Sequence, residues 1–280
     1  MDIQKIAAFS YNQKGGNPAG VVISQEMPPE DKMLKTAKEV GYSETAFLNQ
    51  IKEGWRVRYF APEMEVPFCG HATIASGAVL GDRFGEGIYK LFLNQGEISI
   101  QVARSEKGHF VVSLQSPETW SKPAPKNYTD QILNEFNWST DDLNPDFPLR
   151  FAFAGAKHLI IFLKEHKKLS NMAYDFERVK KLMQAENLVT IDLLWLESQQ
   201  LFHARNPFPT GGVYEDPATG AAAAALGGYL RDIHWQGGQK LDILQGEDMG
   251  CPSRLSVEYT TKTGEGIRVS GETRLIGDNE

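Results

Sequence analysis

Runs of apolar residues and amphipathic stretches alternate along the chain in an order that occurs twice. Each time, an almost continuously apolar run predicts a strand, a stretch with helical periodicity follows, and a second apolar run predicts another strand. The expected elements are strand 17–24, helix 28–41 and strand 45–51 in the first half, and strand 156–163, helix 175–187 and strand 190–197 in the second. This order indicates a mixed α/β or α+β fold.

Strict alternation of polar and apolar residues predicts further, half-exposed strands. Residues 55–60 alternate in this way. Residues 98–116 alternate on both sides of Lys107-Gly108, and residues 254–271 alternate on both sides of Thr263-Gly264. Each of these two segments is expected to form a β-hairpin.

The chain contains an internal duplication with an offset of 150 residues. The segment EVPFCGHATIASGAVL begins at Glu65, and EDPATGAAAAALGGYL begins at Glu215. From 65 to 97, 14 of the 33 positions carry the same residue as the position 150 further on, where chance would give about two. We expect two similar domains, 1–118 and 119–265, and the C-terminal strand 266–280 is open to assignment to the first of them.

Both copies of the repeated segment read Pro-x-x-Gly and continue with about ten mostly small residues. Small side chains let other elements approach closely, so a helix from Gly70 and a helix from Gly220 are expected at the centre of their domains. The first amides of a helix have no partner within it and carry a positive partial charge, which favours anions. Two interpretations stay open: the two helix starts bind a small carboxylic acid, or both helices serve packing alone.

Composition and charge narrow the class of protein. The chain has 280 residues and a net charge of −7, so nucleic acid is not an expected partner. No apolar run of about 18 residues predicts a membrane span, and the first residues lack the pattern of a signal peptide. We expect a cytoplasmic protein with no membrane partner.

The sequence offers no motif for a metal or a nucleotide cofactor. Cys69 and Cys251 are the two cysteines, and neither CxxC nor HExxH occurs. Neither G-x-G-x-x-G after a strand nor G-x-x-x-x-G-K occurs. No metal and no cofactor are therefore expected.

Five segments resemble the PhzF-like phenazine-biosynthesis family, whose fold is of the diaminopimelate epimerase type. They are GNPAGVV (16–22), SETAFL (43–48), EVPFCGHAT (65–73), EDPATGAAA (215–223) and QGEDMGCPSRLSVE (245–258). The resemblance runs from about Phe9 to Val269. It implies two pseudo-symmetric domains, each a barrel-like mixed sheet around a central helix, with the active site between them. It also implies a homodimer.

The resemblance implies roles for individual residues. Glu44, in the SET segment, corresponds to the catalytic acid/base, whereas the residues alone favour an exposed or N-cap-bonded carboxylate at the start of a strand. His71 and Asp216 correspond to substrate-binding residues, and the alternatives are a core histidine and a helix-capping carboxylate. The backbone amides expected to hold a carboxylate or an oxyanion are those of Gly70, Thr219 and Gly220.

Two positions depart from relatives of this fold. The epimerase branch uses one cysteine from each half, and the equivalent positions here are Cys69 and Thr219. Threonine is too weak an acid for that role, so a symmetric two-thiol racemase is disfavoured. Cys69 is left as an accessory proton donor or a buried filler. Ala221 stands where the PhzF-like family commonly has serine, so one hydroxyl donor to a substrate is missing.

These observations together predict a cofactor-independent isomerase or epimerase that moves a proton on a small carboxylic or amino-acid-like substrate. Glu44 is the expected acid/base, in a cleft between the domains. Two alternatives are a non-catalytic protein that binds small acids on the same fold, and a racemase based on Cys69.

Overall fold

The computed structural model describes residues 1–277, which form two compact units. The first unit takes in Met1–Gln115 together with the chain from Ser270 onward, and the second unit is Ser116–Val269. The first unit is therefore built from two separate stretches of chain, whereas the second is continuous.

Seventeen strands and six α-helices are found among the described residues. The first unit contains β1 (Ile3–Ser10), β2 (Asn17–Ser24), α1 (Glu30–Val40), β3 (Thr45–Ile51), β4 (Gly54–Phe60), β5 (Glu65–Val66), α2 (Gly70–Phe84), β6 (Gly87–Phe92), β7 (Glu97–Arg104) and β8 (Phe110–Gln115). Chain segment 116–269 contains β9 (Trp120–Pro123), α3 (Lys126–Glu135), β10 (Arg150–Phe153), β11 (Lys157–Leu163), α4 (His166–Ser170), α5 (Phe176–Ala185), β12 (Thr190–Ser198), β13 (Leu201–Pro207), β14 (Glu215–Asp216), α6 (Gly220–Asp232), β15 (Lys240–Gln245), β16 (Ser253–Glu258) and the start of β17 (Arg268–Leu275).

The strands and helices expected in both halves are confirmed, and no end differs by more than two residues. The apolar face of α1 packs through Met33 and Ala37 against Val22, Phe47 and Phe60. That helix starts directly after Pro28-Pro29 and ends at Gly41, whose φ of 74° suits a left-handed helix end.

Strand pairing repeats in the two units. In the first, β1–β2 is antiparallel, β2–β3 parallel, β3–β4 antiparallel, β4–β6 parallel and β6–β7 antiparallel. In the second, the same sequence of pairings joins β10, β11, β12, β13, β15 and β16. The parallel pairs span connections that contain helices, as parallel neighbours require. The duplication seen in the sequence is thus a duplication of topology.

Helices α2 and α6 lie at the centres of their units, as the small residues predicted. Strands β1, β2, β3, β7 and β8 all contact α2, and residues 71–81 of this helix are buried. A Cβ atom added at Gly77 would lie 2.5 Å from Val112 Cγ1, and one added at the repeat-equivalent Gly227 would lie 2.8 Å from Ile267 Cγ2. Both glycines therefore permit close packing of strands against the helix.

The hairpin expected at residues 98–116 is confirmed, and in residues 254–271 the second strand also pairs with a strand outside the segment. Strands β7 and β8 pair antiparallel, with Arg104 opposite Phe110. In the segment 254–271, Thr263 and Gly264 do form a turn. The strand that follows, β17, pairs antiparallel with β1 and enters the first unit at Ser270. Separately, none of the helices among residues 1–277 combines the length and apolar character needed to cross a membrane.

Candidate active site

Glu44 is the residue that immediately precedes β3, and its main-chain oxygen accepts a hydrogen bond from the amide of Gly20 over 3.3 Å. A side chain at Gly20 would collide with Thr45, since an added Cβ would lie 2.9 Å from Thr45 Oγ1. The glycine of the GNPAGVV segment therefore lets β2 approach the start of β3 closely. The Glu44 side chain is 19% exposed. It is thus neither buried in the core nor freely solvated.

His71 is the second residue of α2 and joins the Glu44 side chain to that helix start. Its Nε2 atom lies 3.4 Å from Glu44 Oε2 and 3.4 Å from Ser43 Oγ. Its Nδ1 atom lies 3.4 Å from Cys69 Sγ. The imidazole is buried, with 8% of the residue exposed. The imidazole therefore contacts both a carboxyl group and a thiol beside the first turn of a helix.

Two buried hydroxyl groups hold Cys69, the N-cap residue of α2, in place. Thr73 Oγ1 donates to the main-chain oxygen of Cys69 over 2.6 Å, and Tyr59 Oη lies 2.6 Å from Thr73 Oγ1. Burial raises the pKa of Tyr59 above its usual range, so this hydroxyl stays protonated at neutral pH. Neither Tyr59 nor Thr73 was singled out from the sequence.

In the second unit, Thr219 is the N-cap residue of α6 and contacts Asp216. Thr219 Oγ1 donates to Asp216 Oδ2 over 2.5 Å. Gln245, which is 2% exposed, donates through Nε2 to the main-chain oxygen of Asp216 and accepts through Oε1 from the amide of Thr219. Gln245 thereby fixes the turn that leads into α6.

This arrangement changes the role expected for the Thr219 amide. Its hydrogen bond to Gln245 Oε1 is 3.1 Å long, so this donor already has a protein partner. Gly220 is the first residue of α6 and Ala221 the second, the positions that Gly70 and His71 occupy in α2. The first-turn amides of α6, from Gly220 onward, are therefore the better candidates for binding an anion.

A bidentate ion pair anchors the segment before each central helix. Arg58 contacts both carboxylate oxygens of Glu65, at 2.8 and 2.5 Å. Arg205 contacts both oxygens of Glu215, at 3.0 and 2.5 Å. The hydrogen bond from Arg58 lowers the pKa of Glu65. Sequence reasoning noted that Glu65 recurs as Glu215 but did not find the arginines.

The fold also brings metal-ligand types together that the sequence spacing did not indicate. One ligand atom each of Glu44, Cys69 and His71 lies within 4.8 Å of the others. Over residues 1–277 this is the one group of three or more His, Cys, Asp or Glu side chains found in such an arrangement. Residue spacing did not indicate this group because Glu44 is far from Cys69 and His71 along the chain.

A family model described as "Phenazine biosynthesis-like protein" matches residues 6–277. The chain belongs to this family. Among curated proteins, it is 26% identical over 289 residues to "Uncharacterized isomerase YfhB" of Bacillus subtilis, covering 98% of each chain. It is 28% identical over 274 residues to the trans-2,3-dihydro-3-hydroxyanthranilate isomerase of Pseudomonas aeruginosa, covering 95% of this chain and 91% of the relative.

Solved structures agree on the fold. The Bacillus anthracis phenazine biosynthesis protein of the PhzF family superposes with a TM-score of 0.88 at 21% identity, covering 98% of this chain and 96% of that chain. A probable proline racemase from Agrobacterium radiobacter superposes with a TM-score of 0.63 at 10% identity, covering 98% and 91%. The expected diaminopimelate epimerase-like fold is confirmed. The expected class of enzyme, an isomerase, is confirmed by the relatives of this family.

Proposed function

We propose that this isomerase moves a proton on a small carboxylic or amino-acid-like substrate, with Glu44 as the acid/base. The observation that carries the proposal is the 3.4 Å contact between Glu44 Oε2 and His71 Nε2 beside the first turn of α2. A partly exposed carboxyl group next to helix-start amides combines a base with donors for the negative charge that its action creates.

The reaction needs no group beyond these side chains and the substrate. The Glu44 carboxylate takes a proton from a carbon next to the substrate carboxylate or along a conjugated acid, and the electron pair moves onto the carboxylate as an enolate. Donors at the start of α2, from Gly70 onward, and an N–H of His71 stabilise the oxyanion. Protonated Glu44 then returns the proton, to the opposite face of the same carbon or to another carbon.

In this proposal residues of chain segment 116–269 contribute to binding the same substrate. Asp216 accepts a hydrogen bond from an amino or hydroxyl group, and the first-turn amides of α6, starting at Gly220, bind a carboxylate. Ala221 offers no hydroxyl at this point, so a substrate group that needs such a donor is not favoured.

The test is isotope exchange by Glu44→Gln, which keeps the shape of the side chain and removes the base. The parent protein is incubated in deuterium oxide with a panel of amino, hydroxy and unsaturated acids, and incorporation is followed by mass spectrometry. We expect the variant to lose about 10²- to 10⁴-fold in rate on the responsive acid. Glu97→Gln, at an exposed carboxylate of the same unit, is the matched control and keeps the parent rate. Exchange at the parent rate in Glu44→Gln, with folding verified by circular dichroism, would rule out Glu44 as the base.

One observation favours a second candidate, in which Cys69 takes part in proton transfer. Its sulfur lies 3.4 Å from His71 Nδ1 and 3.9 Å from His71 Nε2, the atom that contacts Glu44. Loss of exchange in Cys69→Ala, with Glu44 intact, supports this candidate, and full activity eliminates it. Thermal stabilisation by an acid with no exchange in the parent protein points instead to a binding protein without turnover.

A further inference from the structure

His203 of β13 bridges two carboxylates that come from different segments of the second unit. Its Nε2 atom lies 2.6 Å from Glu197 Oε2 of β12, and its Nδ1 atom lies 2.9 Å from Glu247 Oε2. Glu247 belongs to segment 246–251, which connects β15 to β16. The His203 side chain is 12% exposed, whereas both glutamates are exposed. One largely buried ring therefore attaches an exposed segment to the sheet.

Both contacts are hydrogen bonds at the same time only when the His203 ring carries two protons. A carboxylate oxygen accepts and does not donate, and a neutral imidazole has a single N–H. The imidazolium donates to Glu197 and Glu247 together, through charge-assisted bonds. After loss of one proton, a nitrogen lone pair faces a carboxylate oxygen and the two repel. Imidazole groups ordinarily lose this proton between about pH 5 and 8, so the bridge depends on pH.

The surroundings of His203 favour the charged ring. The other charged and titratable side chains that face it are Arg205 on the same strand, Asp248 beside Glu247, Asp242 of β15 with Arg254 of β16, and His166 of α4. Arg205 lies 3.8 Å from Asp248, and Arg254 lies 2.6 Å from Asp242, so these charges are paired. The ring of Trp195 has its centroid 5.3 Å from that of His203, a distance at which an aromatic ring attracts a cation.

The duplication identifies Arg56 as the counterpart of His203 in the first unit. Arg58 and Arg205 are equivalent, because each forms the bidentate ion pair of its unit and each lies at the same place in its strand pairing, opposite Phe47 and Leu193 respectively. Arg56 precedes Arg58 by two residues, as His203 precedes Arg205. Both therefore lie on the same face of equivalent strands.

Arg56 holds the segment that corresponds to 246–251. It donates to the main-chain oxygen of Phe92 over 2.7 Å and to the side chain of Asn94, at the start of the connection from β6 to β7. A cation on this strand thus fixes the same connection in both units. Arginine keeps its charge at any pH at which proteins are studied, whereas histidine does not. The attachment is therefore permanent in one unit and dependent on protonation in the other.

Segment 246–251 is joined directly to the turn that carries Asp216. The added Cβ at Gly246 would lie 2.7 Å from the main-chain oxygen of Pro217, so the two segments pack tightly. The preceding residue, Gln245, hydrogen-bonds to the main-chain oxygen of Asp216 and to the amide of Thr219. The position in which Glu247 is held is therefore transmitted over two residues to the start of α6.

We propose that protonated His203 is a positioning residue, which holds segment 246–251 against β13 and thereby keeps the turn from Asp216 to Thr219 in the geometry that binds substrate. The bridging form is the protonated one, so the attachment is present at low pH and is lost as the pH rises. The attachment itself does not rest on the proposed function, whereas its effect on substrate binding does.

The experiment measures amide hydrogen exchange by mass spectrometry on the full chain at about pH 6 and about pH 8.5. Protection is expressed relative to the unstructured chain at the same pH. The reporters are the amides of Met249, Gly250 and Cys251, which donate within the segment. We expect the parent protein to lose about three- to tenfold in protection at the higher pH.

His203→Arg, which installs the residue of the equivalent strand, keeps the segment protected at both pH values, and His203→Gln leaves it poorly protected at both. Asp192 is present in parent and variants alike, so its titration cancels in the comparison. His234→Asn, at an exposed histidine, is the matched control and behaves as the parent. An equal pH dependence in the parent and His203→Arg overturns the attachment.

A second measurement needs no variant and so does not depend on one folding. Deuterium exchange at the imidazole C2 position, read by peptide mass spectrometry, reports the protonation of His203 in the parent protein. We expect it to fall over the same pH interval as protection of segment 246–251. Protection that changes over a different interval from His203 overturns the proposal.

The link to substrate binding is tested on the acid that responds in isotope exchange. We expect KM to rise with pH about three- to tenfold more in the parent than in His203→Arg, and kcat to depend on pH equally in both. Equal KM profiles, with segment protection that differs, overturn the link to Asp216 alone. A parent protein that exchanges no acid but shows the change in protection leaves the attachment standing and removes the proposed function.

Discussion

The side-chain amide of Gln245 donates to the main-chain oxygen of Asp216 over 2.7 Å. The same nitrogen lies 3.0 Å from Thr219 Oγ1, and the amide oxygen accepts from the Thr219 amide. One buried side chain therefore sets the geometry of the turn that carries Asp216 into α6. Gly246 completes the arrangement, because an added Cβ there would lie 2.7 Å from the main-chain oxygen of Pro217.

Gln245→Ala removes three hydrogen bonds, each worth about 1 kcal/mol net. We expect the free energy of unfolding to fall by about 2–3 kcal/mol and the Thr219 amide to exchange hydrogen faster. Chemical denaturation and hydrogen-exchange mass spectrometry measure the two effects. Gln95→Ala, at the exposed repeat-equivalent glutamine, is the control and changes stability by less than about 0.5 kcal/mol. Unchanged protection at Thr219 would contradict this account of Gln245.

The two bidentate ion pairs differ in burial, and this difference predicts unequal sensitivity. The Arg205 and Glu215 side chains are 11% and 4% exposed, against 19% and 21% for Arg58 and Glu65. Removing one partner of a buried pair leaves an uncompensated charge and costs about 3–5 kcal/mol. We expect Glu215→Ala to approach that loss in urea denaturation and Glu65→Ala to fall well below it. Equal losses in the two variants would argue against burial as the cause.

Gly77→Ala tests the close packing around α2. Alanine in a helix interior is ordinarily better than glycine by up to about 1 kcal/mol, but here the new methyl group meets Val112. Overpacking of this kind costs about 1–3 kcal/mol, so we expect a net loss of stability, measured as the denaturation midpoint. Gly70→Ala is the control, because an added Cβ at Gly70 meets nothing within 4 Å. Stabilisation by both substitutions would show that Val112 and its strand move away from position 77 at little energetic cost.

A buried polar chain in the second unit predicts a dependence of stability on pH. Asn206 Nδ2 donates to Asp192 Oδ1, and Thr190 Oγ1 donates to Asn206 Oδ1 and lies 2.8 Å from His158 Nδ1. Burial raises the pKa of Asp192 from 3.8 to about 7. It lowers the pKa of His158 to about 3.

Asp192 retains its proton in the folded protein over a range in which the unfolded chain has lost it. Its contribution to stability is therefore present below pH 3.8 and declines as the pH rises to about 7. Asp192→Asn has no such decline, so its stability relative to the parent improves across this interval. His158 contributes the opposite slope in both proteins, which cancels in the difference. Denaturation at a series of pH values, with Asp146→Asn at the surface as control, measures the effect, and a pH-independent difference would contradict it.

Much of the fold could be predicted from the sequence, because the duplication and the small residues of α2 and α6 carry its topology. The proximity of Glu44 and His71 was expected only through the family resemblance, since no spacing rule connects them. The anchoring arginines were not predicted because Arg58 precedes Glu65 by seven residues and Arg205 precedes Glu215 by ten, which breaks the constant offset. Gln95 and Gln245 show that an identical residue in both copies does not guarantee an identical environment, because Gln95 is exposed and Gln245 is buried.

The pairing of β17 with β1 joins the last described strand of the chain to the first. During synthesis the first unit lacks this strand until residues 270–275 have left the ribosome, whereas Ser116–Val269 is complete before then. Domains generally fold as units as they emerge. The second unit can therefore complete its fold first. The first unit, although most of it is synthesised earlier, completes its sheet last.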